Sequence, residues 1–130
     1  MFNAMILELH VSDCEAAARF FEEALGYRRG YTLLEDGHLD FAVMEHPDPG
    51  LELLLHRMLP AGETAKPRSV RLYYEVANLE ELCTRLRDKG FDVRDPTPTD
   101  YGATLAQLDG PDGYPIYFRQ WKRSPAAAKP

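Results

Sequence analysis

The chain has 130 residues, of which 45% are hydrophobic and 28% are charged, a composition typical of one globular domain with its own core. Its net charge of −6 comes without a Lys- or Arg-rich stripe to meet phosphates, so we expect no nucleic-acid partner. The segment MFNAMILELH has neither a basic start nor an apolar run long enough for a signal peptide or a membrane span, so we expect a cytoplasmic protein.

The first half of the chain predicts a strand, a helix and three further strands. Residues 5–11 alternate between apolar and polar positions, as in a strand, and His10 lies on the polar face. Ser12 and Glu15 match a capping box that opens a helix, and Gly26 is a natural place for that helix to end. Turn residues then separate three strand-like runs, at 27–34, 38–46 and 51–57.

The same order returns in the second half. A segment rich in proline, glycine and charge at 58–68 predicts a linker, and a strand-like run follows it. Asn78 and Glu81 match a second capping box, and Gly90 ends the predicted helix. Three more strand-like runs lie at 91–95, 103–108 and 114–121. Both halves therefore predict a β-α-β-β-β module, and pairing the modules would leave a cavity between them.

These boundaries predict a single domain over residues 1–124, with modules at about 4–57 and 69–121 and a flexible tail at 125–130. Cys14 and Cys83 fall in the two predicted helices, far apart in sequence and without a base beside them. We expect free, idle thiols in a reducing compartment rather than a disulfide or a nucleophile.

Three segments, LHVSDCEAAARFFEEALGY at 9–27, LEL at 51–53 and LDGPDGYPIYF at 108–118, resemble the vicinal oxygen chelate superfamily in their order and spacing. This superfamily includes glyoxalase I, extradiol dioxygenases and bleomycin-resistance proteins. The resemblance implies an α+β fold in which two tandem βαβββ modules form a curved mixed sheet around a cavity. It also implies a homodimer, as is common among the metal-free members.

In metal-dependent members, four ligands come from the first and fourth strands of each half. The matching positions here are Ile6, Glu52, Arg71 and Tyr117, of which only Glu52 is a plausible ligand. The resemblance therefore implies a chain without the usual metal, and we expect no cofactor. A displaced site formed by His10, His56 and Glu52 stays open as an alternative, because imidazole and carboxylate ligands suit zinc or non-haem iron.

Strand alternation turns a set of polar and aromatic side chains toward the predicted cavity. They are Glu8, His10, Glu52, Arg71, Tyr73, Glu75, Tyr117, Arg119 and Trp121. Rings combined with both signs of charge suit an aromatic or cationic organic ligand. The alternative for the aromatic residues is that they pack the edge of a sheet. No catalytic residue is identified.

The predicted function is metal-independent binding of a small organic molecule in the cavity between the modules, as in antibiotic resistance by sequestration. Two alternatives stay open. One is a glyoxalase- or dioxygenase-like metalloenzyme with a displaced metal site, and the other is a non-catalytic module that binds another protein.

Overall fold

The structure, a computed structural model, describes residues 1–60 and 69–122. The chain divides into two compact units, Met1–Lys66 and Pro67–Pro130, and the described residues of each form one α-helix and one four-stranded sheet. Most of the predicted linker and all of the predicted tail at 125–130 lie outside the described residues. The cavity predicted between the modules stays a prediction. Within residues 1–60 and 69–122, no helix is long and apolar enough to cross a membrane.

The first unit is built in the predicted order. It contains β1 (Leu7–Val11), α1 (Cys14–Leu25), β2 (Arg28–Glu35), β3 (His38–Glu45) and β4 (Leu53–Arg57). The strands lie in the order β1-β4-β3-β2, with β1 parallel to β4 and the other neighbours antiparallel. The first strand, β1, therefore lies at one edge of the sheet, beside the last strand, β4, which is central.

The second unit repeats this topology. It contains β5 (Leu72–Glu75), α2 (Leu79–Asp88), β6 (Thr97–Pro98), β7 (Ala103–Asp109) and β8 (Pro115–Trp121). The strands lie in the order β5-β8-β7-β6, and β5 is parallel to β8. Two tandem β-α-β-β-β modules of the α+β class are thus confirmed, each with its own mixed sheet.

Each sheet buries one face against its own helix. In the first unit α1 packs on β3 and β4, and the buried side chains include Leu9 of β1, Leu55 of β4 and Phe21 of α1. In the second unit α2 packs on β8, where Ile116 and Phe118 are almost fully buried. The residues between them on each strand are more exposed, as period-2 alternation predicts.

The N-terminus of α1 begins one residue later than the capping-box prediction. The N-cap is Asp13, not Ser12, and its Oδ1 accepts a hydrogen bond from the Ala16 backbone N–H at 3.0 Å. Asn78 is the N-cap of α2, as predicted, and accepts from the Glu81 N–H at 3.1 Å. Asp and Asn are as effective as Ser at this position, so Ser12 and Asp13 compete for it in the sequence.

The prediction of a strand at 91–95 was wrong. No strand is assigned there, although Val93 is buried and the Arg94 N–H donates to the Gln107 carbonyl at 2.9 Å. The strand in this part of the chain is the two-residue β6, which pairs with β7. Pro96 and Pro98 have no N–H, so this segment cannot form a longer ladder.

The strand β2 is an edge strand with an exposed surface. Tyr31, Leu33 and Leu34 are all exposed on it. Its pairing with β3 shifts register twice, between Arg29 and Thr32 and between Leu33 and Leu34. The β2–β3 turn has positive φ at Asp36 (52°) and Gly37 (77°), as in the primed turns that an Asp-Gly dipeptide favours.

Both cysteines are free and buried, as predicted. Burial raises the pKa of the Cys14 thiol to about 11, and burial also raises the pKa of Cys83. The Cys14 thiol keeps its proton to higher pH in the folded chain than in the unfolded chain, where its pKa is about 8.5. Its contribution to stability is therefore complete below about pH 8.5 and is lost as the pH rises through the folded value.

We expect both thiols to resist alkylation by iodoacetamide at pH 8 in the native protein. Only about one Cys14 thiol in a thousand is ionised at that pH, and the thiolate is the reactive form. Both should react within minutes in 6 M guanidinium chloride, as counted by intact mass. A native thiol that reacts as fast as the denatured chain would contradict the burial of these side chains.

Candidate functional site

The parallel pairing of β5 and β8 assembles most of the predicted ligand-binding residues on one sheet face. The register places Tyr73 beside Tyr117 and Glu75 beside Arg119. This face is opposite the one that buries Phe118 against α2. Alternation along two short strands is sufficient to bring these side chains together, because neighbours in a sheet project to the same side.

Five side chains on this face form a continuous row of rings and guanidinium groups. Tyr73 and Tyr117 are stacked, with centroids 4.8 Å apart and planes 12° apart. The Arg71 Cζ lies 5.9 Å from the Tyr117 centroid. The Arg119 Cζ lies 5.5 Å from the Tyr73 centroid and 4.8 Å from that of Trp121. We call Arg71, Tyr117, Tyr73, Arg119 and Trp121 the ring row.

Glu75 holds one end of the ring row. Its Oε1 accepts hydrogen bonds from Arg119 Nη2 at 2.5 Å and from Trp121 Nε1 at 3.2 Å. The hydrogen bond from Arg119, and to a smaller extent that from Trp121, lowers the pKa of Glu75. The bond to Glu75 in turn raises the pKa of Arg119. The Arg119 guanidinium is thus fixed between a carboxylate and two ring faces, and its charge is balanced locally.

The structure adds two residues to this face. The Tyr101 ring meets Trp121 at 61° with centroids 5.6 Å apart, and a Tyr101 hydrogen bond is among the causes that raise the pKa of Arg119. Gln107 of β7 lies opposite Tyr117 in the β7–β8 register. Tyr101 lies in the turn before β7, where alternation assigns no face. Gln107 follows strand alternation, but only the register identifies its neighbour.

The first unit brings together the two predicted histidines. The β1–β4 register places His10 beside His56, and their rings meet nearly at right angles with centroids 6.2 Å apart. His10 Nε2 is hydrogen-bonded to Glu8 Oε2 at 2.9 Å. The displaced metal site requires these two histidines to be neighbours, and the parallel pairing of β1 and β4 makes them so.

His56 lies between two carboxylates. Its Nδ1 is 3.9 Å from Glu8 Oε1, and its Nε2 is 3.6 Å from Asp40 Oδ2. Asp40 also faces Arg57, whose Nε is 3.5 Å from Asp40 Oδ1. Asp40 comes from β3, whose register against β4 the sequence pattern does not specify.

Glu52 is not part of this cluster. Strand β4 begins at Leu53 instead of at the predicted position 51, and Glu52 is exposed before it. Glu52 forms no hydrogen bond or ion pair with residues 1–60 or 69–122. The preceding carbonyl, that of Leu51, accepts a hydrogen bond from the Tyr27 hydroxyl at 2.6 Å instead of joining a strand ladder.

The residues at the metal-ligand positions of the vicinal oxygen chelate superfamily do not fit a divalent ion. Ile6 has no donor atom, and Arg71 is a permanent cation whose guanidinium lies against the ring of Tyr117. Arg71 and Tyr117, which occupy the two ligand positions of the second unit, are therefore in contact with each other. In the part of the chain that the structure describes, no group of three His, Cys, Asp or Glu side chains is arranged to hold a metal ion.

A cavity of about 450 Å³ lies in the first unit, away from the predicted residues. It is lined by α1 and the β2–β3 hairpin, through Glu15, Arg29, Gly30, Thr32, Leu34, Gly37, His38 and Leu39. Arg29 forms ion pairs with Glu15 and Glu22, and hydrogen bonding to Arg29 lowers the pKa of Glu15. This network ties α1 to β2.

Solved structures share the fold over nearly the whole chain. TnmS3, an antibiotic binding protein from Streptomyces sp. CB03234, is 24% identical, with 94% of this chain and 98% of that chain covered and a TM-score of 0.73. A glyoxalase-related enzyme from Clostridium phytofermentans is 16% identical, with 93% and 96% covered and a TM-score of 0.75. A bleomycin resistance determinant encoded on the transposon Tn5 is 18% identical, with 94% and 100% covered and a TM-score of 0.69.

At these identities the solved structures show the fold alone. No protein of curated function is significantly similar to the chain. A family model, by contrast, matches residues 5–118, which is most of the sequence. The chain belongs to the Glyoxalase/Bleomycin resistance protein/Dioxygenase superfamily.

Proposed function

We propose that the chain binds a small organic molecule with an aromatic ring, without a metal ion, and that the ring row is the surface that holds it. The observation that carries this proposal is the stacked, accessible pair of Tyr73 and Tyr117 between two guanidinium groups. Tyr73 is 43% exposed, so its ring is open to a ligand.

The ring row has the chemistry of a binding surface. The faces of Tyr73 and Tyr117 are turned to each other and to the two guanidinium groups, so a ligand ring would meet their exposed edges. Such edge-to-face contacts add to the gain from apolar burial. Arg119 and Glu75 hold Trp121 in place before a ligand arrives, which lowers the ordering cost of binding. The same fold occurs in an antibiotic binding protein and in a bleomycin resistance determinant, so it can accommodate a binding function.

Arg71 and Tyr117 are the reason that we propose binding without a metal ion. They occupy two of the family's ligand positions, and their mutual contact leaves a positive charge where a divalent cation would be bound. Sequestration of an antibiotic, a homodimer and a cytoplasmic location, all predicted from the sequence, belong to the same proposal.

Trp121 makes the proposal directly testable, because it is the single tryptophan of the chain. Its indole N–H gives one isolated resonance in a ¹⁵N–¹H correlation spectrum and reports on the ring row. We expect 2-naphthalenemethanol and 2-naphthoate to shift this resonance saturably, with the same affinity in 5 mM EDTA. The shift should be lost in Tyr73→Ala and kept in Tyr31→Ala, which removes an exposed tyrosine of β2.

Two results would overturn the proposal. One is an indole resonance that neither compound moves. The other is a shift that disappears with EDTA, which would require a metal ion for binding.

A further inference from the structure

We propose that the ring row selects aromatic molecules that carry a negative charge, and that Arg71 is the residue that binds this charge. The inference rests on the binding function proposed above and adds the charge class of the ligand. It differs from the interpretation of the sequence, in which rings combined with both signs of charge suited an aromatic or cationic ligand.

Glu75 is already engaged within the protein. The charged residues of β5, of β8 and of the position before β5 are Arg71, Glu75 and Arg119. Glu75 accepts hydrogen bonds from both Arg119 and Trp121 through Oε1, so its negative charge is balanced within the protein by Arg119. The Arg119 side chain is only 25% exposed. A cationic ligand that displaced it from Glu75 would therefore leave a largely buried guanidinium without its carboxylate.

Arg71 carries the one charge of these three residues that no partner in the described part of the chain balances. It is exposed, and it forms no ion pair with any residue in 1–60 or 69–122. Its contact in this part of the chain is the face of Tyr117, which does not neutralise it. Among the three charged residues the balance is therefore one positive charge, located at the Arg71 end of the row.

The geometry of Arg71 suits a carboxylate joined to a ring. A guanidinium presents a planar set of N–H donors that matches two carboxylate oxygens. Arg71 lies beside the stacked tyrosines, so a ligand ring placed on them can direct its acid group to Arg71. The chain as a whole has a net charge of −6, so a preference for anions would come from this local contact and not from the overall field.

The test compares three ligands that share a ring and differ in charge. They are 2-naphthoate, 2-naphthalenemethanol and 2-naphthylmethylammonium, titrated at pH 7 against the Trp121 indole resonance. We expect naphthoate to bind about fivefold more tightly than the ammonium compound, as for an accessible ion pair. Arg71→Gln should bring the two affinities together and leave that of the neutral alcohol nearly unchanged.

Arg85→Gln is the matched control. Arg85 is exposed on α2, in the same unit, and its replacement removes one positive charge without touching the ring row. We expect this variant to keep the full preference for naphthoate. Arg71→Lys should retain part of it, because lysine keeps the charge and loses the planar donor set.

The outcomes separate this inference from the proposed function. Equal affinities, or tighter binding of the ammonium compound, would overturn the anion preference while the binding function stands. A preference that persists in Arg71→Gln would overturn the role of Arg71. Failure of all three ligands to bind would overturn the proposed function and this inference together.

Discussion

Replacing Phe118 with alanine is expected to lower the free energy of unfolding by about 3 to 5 kcal/mol. Phe118 is 1% exposed and is among the largest fully buried side chains. It lies opposite Ala106 in the register and 6.1 Å, between ring centroids, from Tyr74, on the face covered by α2. The truncation removes apolar contact and leaves a void between sheet and helix. Urea denaturation followed by far-ultraviolet circular dichroism measures the loss.

Tyr117 provides the matched control on the same strand. It is adjacent to Phe118 but lies on the opposite face, against Tyr73 and Arg71. Tyr117 is half-buried, so Tyr117→Ala should cost about 1 kcal/mol for the lost ring pair plus a smaller burial term than that of Phe118, and less than Phe118→Ala in total. Equal losses in the two variants would contradict the assignment of the buried and open faces of β8.

The same Tyr117→Ala variant is expected to weaken binding of 2-naphthalenemethanol by about tenfold, since truncating a central aromatic residue typically costs 1 to 2 kcal/mol or more. Tyr117 links the two ends of the ring row by stacking on Tyr73 and supporting Arg71. Its loss removes one ring from the surface and leaves Tyr73 and Arg71 without the ring that they contact. Titration of the Trp121 indole resonance measures the change.

The binding loss must be separated from misfolding. Phe118→Ala, measured at a temperature where it remains folded, should retain most of the affinity because Phe118 is on the buried face. Wild-type affinity in Tyr117→Ala would place the ligand away from the ring row. That result would contradict the site even if the chain binds the compound.

Much of the fold was predictable because local signals agree with one another. Period-2 alternation marks β1, β5 and β8, and a polar cap followed by a helical stripe marks α1 and α2. The repetition of this order in both halves reinforces each assignment. The pairing of His10 with His56 followed once β1 and β4 were taken as parallel neighbours.

The errors arose where two local signals compete. Ser12 and Asp13 are both good N-caps, and only the helix phase distinguishes them. Residues 91–95 have a strand-like pattern, but the prolines that follow deprive the segment of donors. Glu52 was assigned to a strand that begins one residue later, because the Tyr27 hydroxyl binds the Leu51 carbonyl, a contact 24 residues away in the sequence.

The candidate site was predictable as a face and not as a set of contacts. Alternation selected Tyr73, Tyr117, Arg119 and Trp121, because all lie on two regular strands. It did not predict that Glu75 would be engaged by Arg119 and Trp121. The anionic ligand proposed above follows from these hydrogen bonds and from the contacts of Arg71, because the sequence does not specify which opposite charges pair.

The two register shifts in β2 bear on how the first unit avoids aggregation. An edge strand with exposed Tyr31, Leu33 and Leu34 presents backbone groups and apolar side chains to which a strand from another copy can add. Irregular pairing increases the local twist, so a straight, regular strand no longer matches the edge. The same segment begins and ends with charged residues, Arg28 and Glu35, which further disfavour strand addition. The irregular pairing of β2 is therefore expected to disfavour the addition of a further strand to this sheet.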